Sequence, residues 1–348
     1  MKNVFYLFCI LAWWIFVSGA QAAEVKDLYE AEVPVTDQTA TRSQAIQAAL
    51  LRVITKVSGQ ANLSPAVRAA AAQRAERLVL QFRHQSAAGS GSRPQLWARF
   101  GESEVNQLLQ EFGLPVWGSV RPSLLVWLAV EDKGARLIVG GEEGKELQAM
   151  LNSAAQARGV PLLLPVRDLE EQRRLNVADL WGGFDERIGE ASRRYQADEI
   201  LVGRVYPSGS RWTAHWSRSD VLERQSWQNS AGSLDELISQ AVATVADMLA
   251  ARYARVVTPG QASFVRLRIE GVTGVKAYAR VMGYLKSLDH VQQVALREAH
   301  GDSLVAELSL LGDYQQLAQL IRLGQVLAPQ PGASAESGQS EYVYQLQP

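Results

Sequence analysis

The sequence predicts a multidomain chain of mixed α/β and α+β class. It comprises a small N-terminal α+β unit, a middle three-layer α/β sheet with an antiparallel hairpin, and a C-terminal β-α-β-β-α-β unit. Three observations carry this reading. Residues 42–57 place Ala45, Ile46, Ala49, Leu50, Val53, Ile54 and Val57 at three- and four-residue steps, the period of an amphipathic helix. Residues 123–130, 160–166 and 199–205 are near-continuous apolar runs separated by helical segments, as in a sheet covered on both faces. After residue 260 the period switches in the order strand, helix, strand, strand, helix, strand.

The elements follow in order. Residues 4–17 (VFYLFCILAWWIFV) are uninterruptedly apolar after Lys2, and Ala20-x-Ala22 supplies the small residues of a cleavage site. A membrane span needs about 20 apolar residues. Residues 1–22 therefore read as a cleavable signal peptide cut after Ala22, rather than a retained anchor, and the protein as periplasmic. Cys9 lies inside the apolar core of the leader, the wrong place for a lipidated cysteine. It is the single cysteine of the chain, so an exported protein must hold together without disulfides.

The first unit is expected over residues 23–118. Residues 25–35 alternate loosely as a strand, and residues 37–41 form a polar helix-start cluster. The helix over 42–57 stops at Gly59. Ser64 and Pro65 are an N-cap and a first helical residue and open an alanine-rich helix to about residue 77. Strands are expected at 78–84 and 96–100, a flexible loop at 86–93, and a short helix at 102–112 ending at Gly113.

The middle unit is expected over residues 119–257. Pro115 and Gly118 stop the preceding element, and Arg121-Pro122 lead into the buried strand 123–130, with Trp127 in a core and Trp117 at a domain junction. A helix over 142–158 closes at Gly159. The strand 160–166, a polar crossing, a helix over 188–195 and the strand 199–205 follow. Residues 212–216 and 224–229 pair as a hairpin, and Ser233 caps a helix running to about residue 256. Residues 258–260 are a linker. The third unit, over 261–348, has strands at 263–269, 291–297, 304–310 and 342–346 and helices at 275–288 and 312–323. This is the split, ferredoxin-like arrangement. The alternative leaves everything past Ala328 as a disordered tail.

Composition excludes some function classes. The 348 residues are 47% hydrophobic and 20% charged, enough for two or three ordinary cores. Lys and Arg number 35 against 36 Asp and Glu, and the leader holds one of the bases. Nucleic-acid binding needs a basic excess that this balance lacks. No second run after the leader is long enough to span a bilayer.

No motif supplies a catalytic, metal or cofactor site. Residues 140–145 (GGEEGK) fail the phosphate-loop spacing, because Val139 stands where glycine is needed and Glu146 follows the lysine. The pattern reads as a turn feeding a helix whose N-terminus favours acids. His84, His215, His290 and His300 are scattered and have no ligand spacing. No Gly-x-Ser-x-Gly elbow or Ser-x-x-Lys pair occurs. The tryptophans after the leader are Trp97, Trp117, Trp127, Trp181, Trp212, Trp216 and Trp227. They read first as packing, with Trp212 and Trp216 on one face of a strand and Trp227 opposite. Trp117, Arg121, Trp181, Trp212 and Trp216 are the candidate partner-binding or domain-junction residues.

The run LYEAEVPVTDQTATRSQAIQAALLRVITKVSG resembles, with WGSVRP and SRRYQADEILVGRV, an uncharacterised family of exported bacterial proteins, domain of unknown function 2066. The resemblance spans nearly the whole chain after the leader. Its anchors are the helix ending at Ser58-Gly59, Trp117 with Arg121-Pro122, and Tyr195 with Ala197-Asp198 and Gly203. It implies no activity and no catalytic residues. The element order of residues 123–256 is similar to periplasmic accessory domains of curli-secretion-type and penicillin-binding-protein activator lipoproteins, a likeness of order that does not fix function.

The expectation is a non-enzymatic binding or adaptor protein of the bacterial cell envelope, whose partner is an envelope protein or cell-wall component. One alternative is an envelope hydrolase using dispersed carboxylates in a cleft between domains. Another is a small-molecule binder at the carboxyl ends of the middle strands.

Overall fold

The computed structural model describes residues 23–35, 42–85, 94–220, 223–256, 262–288, 291–311, 314–324, 326–330 and 341–347. The leader and its cut, the polar cluster 37–41, the loop 86–93, the linker 258–260 and His290 lie outside the described residues. Among those described, no helix is long and apolar enough to cross a membrane.

The chain opens with β1 (Ala23–Glu24), β2 (Glu30–Pro34), α1 (Arg42–Ser58), α2 (Pro65–Leu78), β3 (Val79–Gln85), β4 (Gln95–Phe100) and α3 (Glu102–Glu111). The strand expected over 25–35 is shorter because residues 26–29 turn, closed by the Glu30 N–H donating to the Asp27 carbonyl at 3.1 Å. Ser64 caps α2 as its sequence promised, its hydroxyl accepting from the Val67 N–H. The sheet order β2-β4-β3 is antiparallel. The helices cover one face, where Leu96, Ala98 and Phe100 meet Ile46, Leu50, Val53 and Ile54. Glu30, Glu32, Trp97 and Arg99 occupy the opposite face by strand alternation.

A connecting stretch follows: β5 (Pro115–Val116) and β6 (Val120–Arg121). The middle unit then contains β7 (Leu124–Asp132), β8 (Ala135–Ile138), α4 (Lys145–Arg158), β9 (Leu162–Leu163), α5 (Leu169–Arg174), α6 (Val177–Gly182), α7 (Asp185–Ser192), β10 (Glu199–Ser208), β11 (Arg211–Ser219), β12 (Arg224–Ala231) and α8 (Leu234–Tyr253). Its sheet runs β12-β11-β10-β7-β8, with β9 on the same edge of β7 as β8. β7 is parallel to β10 and β9. Leu124, Val126, Leu128 and Val130 face α4 and α8, while Leu125, Trp127 and Ala129 face Leu175, α6 and α7. Both faces of β7 are buried, which explains its unbroken apolar sequence.

Three expectations in this unit need correction. The strand over 160–166 shrinks to Leu162–Leu163, because Pro161 and Pro165 have no N–H to give a ladder and Val166 is exposed. The helix expected from residue 142 begins at Lys145, since residues 140–143 close a turn through the Gly140 and Glu143 backbones. The polar crossing is not a plain loop. It contains α5 and α6, the latter opened by a capping box between Asn176 and Asp179.

The last unit comprises β13 (Arg255–Val256), which pairs back to β5, then β14 (Ala262–Glu270), α9 (Gly274–Ser287), β15 (Val291–His300), β16 (Ser303–Leu311), α10 (Tyr314–Gly324), β17 (Leu327–Pro329) and β18 (Glu341–Leu346). The β-α-β-β-α-β order stands, with one strand more. β17 takes the outer edge of the sheet order β15-β16-β14-β18-β17, and β18 enters between it and β14, parallel to β14. The final strand is therefore present in place of an unstructured tail. One face of this sheet builds a separate core of Leu267, Ile269, Val281, Leu285, Leu308 and Ile321.

Gly203 on β10 lies opposite Trp216 on β11, and a Cβ there would overlap the indole ring. Gly203→Ala is expected to destabilise the protein by about 1–3 kcal/mol through overpacking, read as a lower urea midpoint with an unchanged slope. A neutral substitution would show that Trp216 is not held where the register places it.

Candidate functional site

Two features lie where the N-terminal and middle units meet: a buried cationic junction, and a cleft above it. The junction is centred on Arg121, which is fully buried. Its Nε donates to the Gly118 carbonyl at 2.8 Å. Its Nη1 donates to the carbonyls of Arg158 at 3.1 Å and Gly159 at 2.8 Å. Its Nη2 donates to those of Lys56 at 2.9 Å and Trp117 at 2.7 Å. Lys56 lies in the last turn of α1, and Arg158 and Gly159 end α4, so one guanidinium caps the carbonyl-rich ends of two helices from two units. The Trp117 ring lies 4.0 Å from the guanidinium carbon. Arg158 adds a bond to the Gly59 carbonyl at 2.8 Å and an ion pair to Asp247 at 2.5 Å.

Trp117 is 1% exposed and Arg121 0%, so neither presents a free surface. Trp216 is buried, stacked 6.5 Å from Trp227, and joins Trp212 and Trp227 against the core beneath α8. Trp181 lies apart from these on α6, beneath Arg136 at 4.0 Å and edge-on to Tyr206. The structure thus joins Trp117 with Arg121 and Trp212 with Trp216, and leaves Trp181 separate. Among the described residues, no group of three or more His, Cys, Asp or Glu side chains could hold a metal ion.

The cleft, of about 310 Å³, lies between the helix-free face and β2 edge of the N-terminal sheet and the outer side of α4. That is the lower end of the volume of small-ligand sites. Its lining includes Asp27, Glu30, Glu32, Arg52, Lys56, Arg83, Gln95, Trp97, Ser153 and Gln156. β2 is an edge strand whose outward carbonyls are taken by α1. Arg52 Nη1 donates to the Glu32 carbonyl, and Lys56 Nζ donates to those of Asp27 at 3.0 Å and Glu30 at 2.8 Å. The i, i+4 spacing of Arg52 and Lys56 on the helix matches the i, i+2 spacing of carbonyls on the strand, and so closes the edge.

Trp97 forms part of the cleft wall. Its Nε1 donates to Glu30 Oε2 at 3.1 Å, and Arg99 Nε donates to Glu30 Oε1 at 2.8 Å. The guanidinium carbons of Arg83 and Arg99 lie 4.5 and 5.7 Å from the Trp97 ring. The sequence reading places Trp97 with the other tryptophans as packing and outside the candidate residues, although RPQLWARF carries the signal. Leu96, Ala98 and Phe100 alternate inward, which leaves a tryptophan on the polar face between Gln95 and Arg99.

Desolvation pushes the Lys56 ammonium below the ordinary lysine value of 10.5; Asp27 opposes the shift and Arg121 adds to it. Between that lowered value and 10.5 the unfolded chain binds more protons than the folded one, so stability from Lys56 rises with pH. The difference in urea midpoint between the wild type and Lys56→Met should therefore shift in favour of the wild type as pH climbs toward 10.5. A pH-independent difference would refute the shift.

Arg121→Met strands the carbonyls of Lys56, Trp117, Gly118, Arg158 and Gly159. The expected cost is about 3 kcal/mol or more, together with splitting of the calorimetric transition as the two units uncouple. Unchanged melting would show the cluster to be dispensable.

Residues 22–118 match a family described as a domain of unknown function (DUF8605). No curated protein and no solved structure matches the chain. The N-terminal segment, including β2, β4 and the β2-facing side of the cleft, is thus similar to an uncharacterised domain.

Proposed function

We propose that the chain is a non-enzymatic binding protein of the bacterial cell envelope, exported by its leader to the periplasm, that holds an envelope protein or cell-wall component in the cleft between β2 and α4. The observation that carries the reading is the cleft itself. It joins two units whose relative position is fixed by Arg121, and it is lined by polar side chains from both. Prefixed geometry of this kind lowers the ordering cost of binding. The resemblance to an exported family and the likeness of the middle unit to periplasmic accessory domains bear on export and location in this reading, and leave what is bound to the cleft.

The hydrolase alternative has one observation in its favour, the presence of Asp27, Glu30 and Glu32 in one cleft. Against it, both Glu30 oxygens are engaged, one by Trp97 and one by Arg99, and Asp27 lies 3.9 Å from Lys56. Glycoside hydrolysis needs two carboxyl groups free to serve as acid and base or nucleophile.

A photo-crosslinking residue at Ser153, inside the cleft, should capture a discrete envelope component in living cells. The same residue at Glu298, exposed on β15, should not. Capture of nothing, or of the same species from both positions, would overturn the proposal, as would recovery of the protein from the cytoplasm alone.

A further inference from the structure

The cleft holds groups that its own hydrogen bonds leave over. Among the described residues, the Glu32 carboxylate has no hydrogen-bond or ion-pair partner, only a longer-range attraction to the Lys56 ammonium, although its backbone carbonyl is held by Arg52. Arg52 spends one N–H on that carbonyl and has no acidic partner. The side-chain amides of Gln95 and Gln156 and the Ser153 hydroxyl line the same space without partners. A free carboxylate and a part-free guanidinium therefore stand on one edge, with neutral donors and acceptors around them.

Other ligand classes fit this lining less well. A simple anion meets Asp27, Glu30 and Glu32, and a simple cation meets Arg52, Lys56 and Arg83. A neutral glycan stacks a sugar face on an open aromatic ring, and the Trp97 ring already carries the guanidiniums of Arg83 and Arg99. A peptide adding to β2 as a strand finds the Glu30 and Glu32 carbonyls occupied.

Resting on the binding reading above, we propose that the cleft takes a short peptide segment bearing both an ammonium and a carboxylate group. Glu32 receives the ammonium and Arg52 the carboxylate. Gln95, Ser153 and Gln156 bond the peptide amides between. Recognition is by side chains alone, because the strand edge is closed.

The test uses the purified full chain, calorimetry and four probes. The first is acetyl-Ala-Lys-Ala with a free C-terminus, which carries one charge of each sign. The second is the same peptide with its lysine acetylated, and the third is its C-terminal amide. Chitotetraose is the neutral glycan. The doubly charged peptide should bind about fivefold tighter than either singly charged form, the scale of a half-exposed ion pair. Glu32→Gln should erase the preference for the free lysine and keep the preference for the free carboxylate. Arg52→Gln should do the reverse, a pattern that misfolding does not produce.

Equal binding of the three peptides, or no binding of any, overturns the peptide assignment. Binding of chitotetraose alone, lost in Trp97→Ala, overturns the peptide while retaining the cleft. Capture at Ser153 in cells decides the wider binding reading independently of these titrations.

Discussion

The structure depends on a single guanidinium. Arg121 is fully buried, and carbonyl dipoles meet its charge, several of them at helix ends. A buried cation is costly unless its hydrogen bonds are made, and all five of its N–H donors are used. Lysine could not substitute, since three donors on a point charge cannot span five acceptors in a plane. At the same junction Arg158 bonds the Gly59 carbonyl, and Gly59 lies against Ala250 of α8, where any side chain would overlap. By bonding the last carbonyls of both α1 and α4, Arg121 ties the N-terminal unit to α4, one wall of the cleft.

The cleft follows from how the β2 edge is closed. An edge strand exposes carbonyls that invite another chain. Here Arg52 and Lys56 reach across from α1 and take them. A cationic edge is the result, and the alternation of β2 puts Glu30 and Glu32 beside it. Mixed charge in the cleft is thus the by-product of a structural need. Glu30 is absorbed by Trp97 and Arg99, and Glu32 is left over.

Much of the architecture was legible because local signals agreed. Ser64-Pro65, Ser233 and Gly159 mark helix ends where the structure has them, and the apolar block of β7 is buried on both faces as its composition requires. What failed had a local cause. Pro161 and Pro165 break an apolar run that reads as a strand. β8 is hard to read because its turn, Lys133-Gly134, sits in a polar stretch; the structure holds both residues at positive φ, the conformation of a tight hairpin. Trp97 was legible in the alternation of β4. The role of Arg121 was not, because apart from Trp117 and Gly118 close by, its acceptors are backbone groups 37 to 65 residues away. Carbonyls carry no sequence identity.

The short stretch from Pro115 to Arg121 is stitched twice. β6 pairs with β1, near the start of the described chain, and β5 pairs with β13, after the long helix α8. The first stitch is available as soon as the segment is made. The second waits for residues 255 and 256, a loop whose closure must be met before its contacts repay it. A nascent chain therefore carries its N-terminal sheet and its capping arginine well before the strand that fastens them exists. Of the two stitches in this stretch, the one to β13 is therefore the later to become available, and it fastens the connecting segment to the far end of α8.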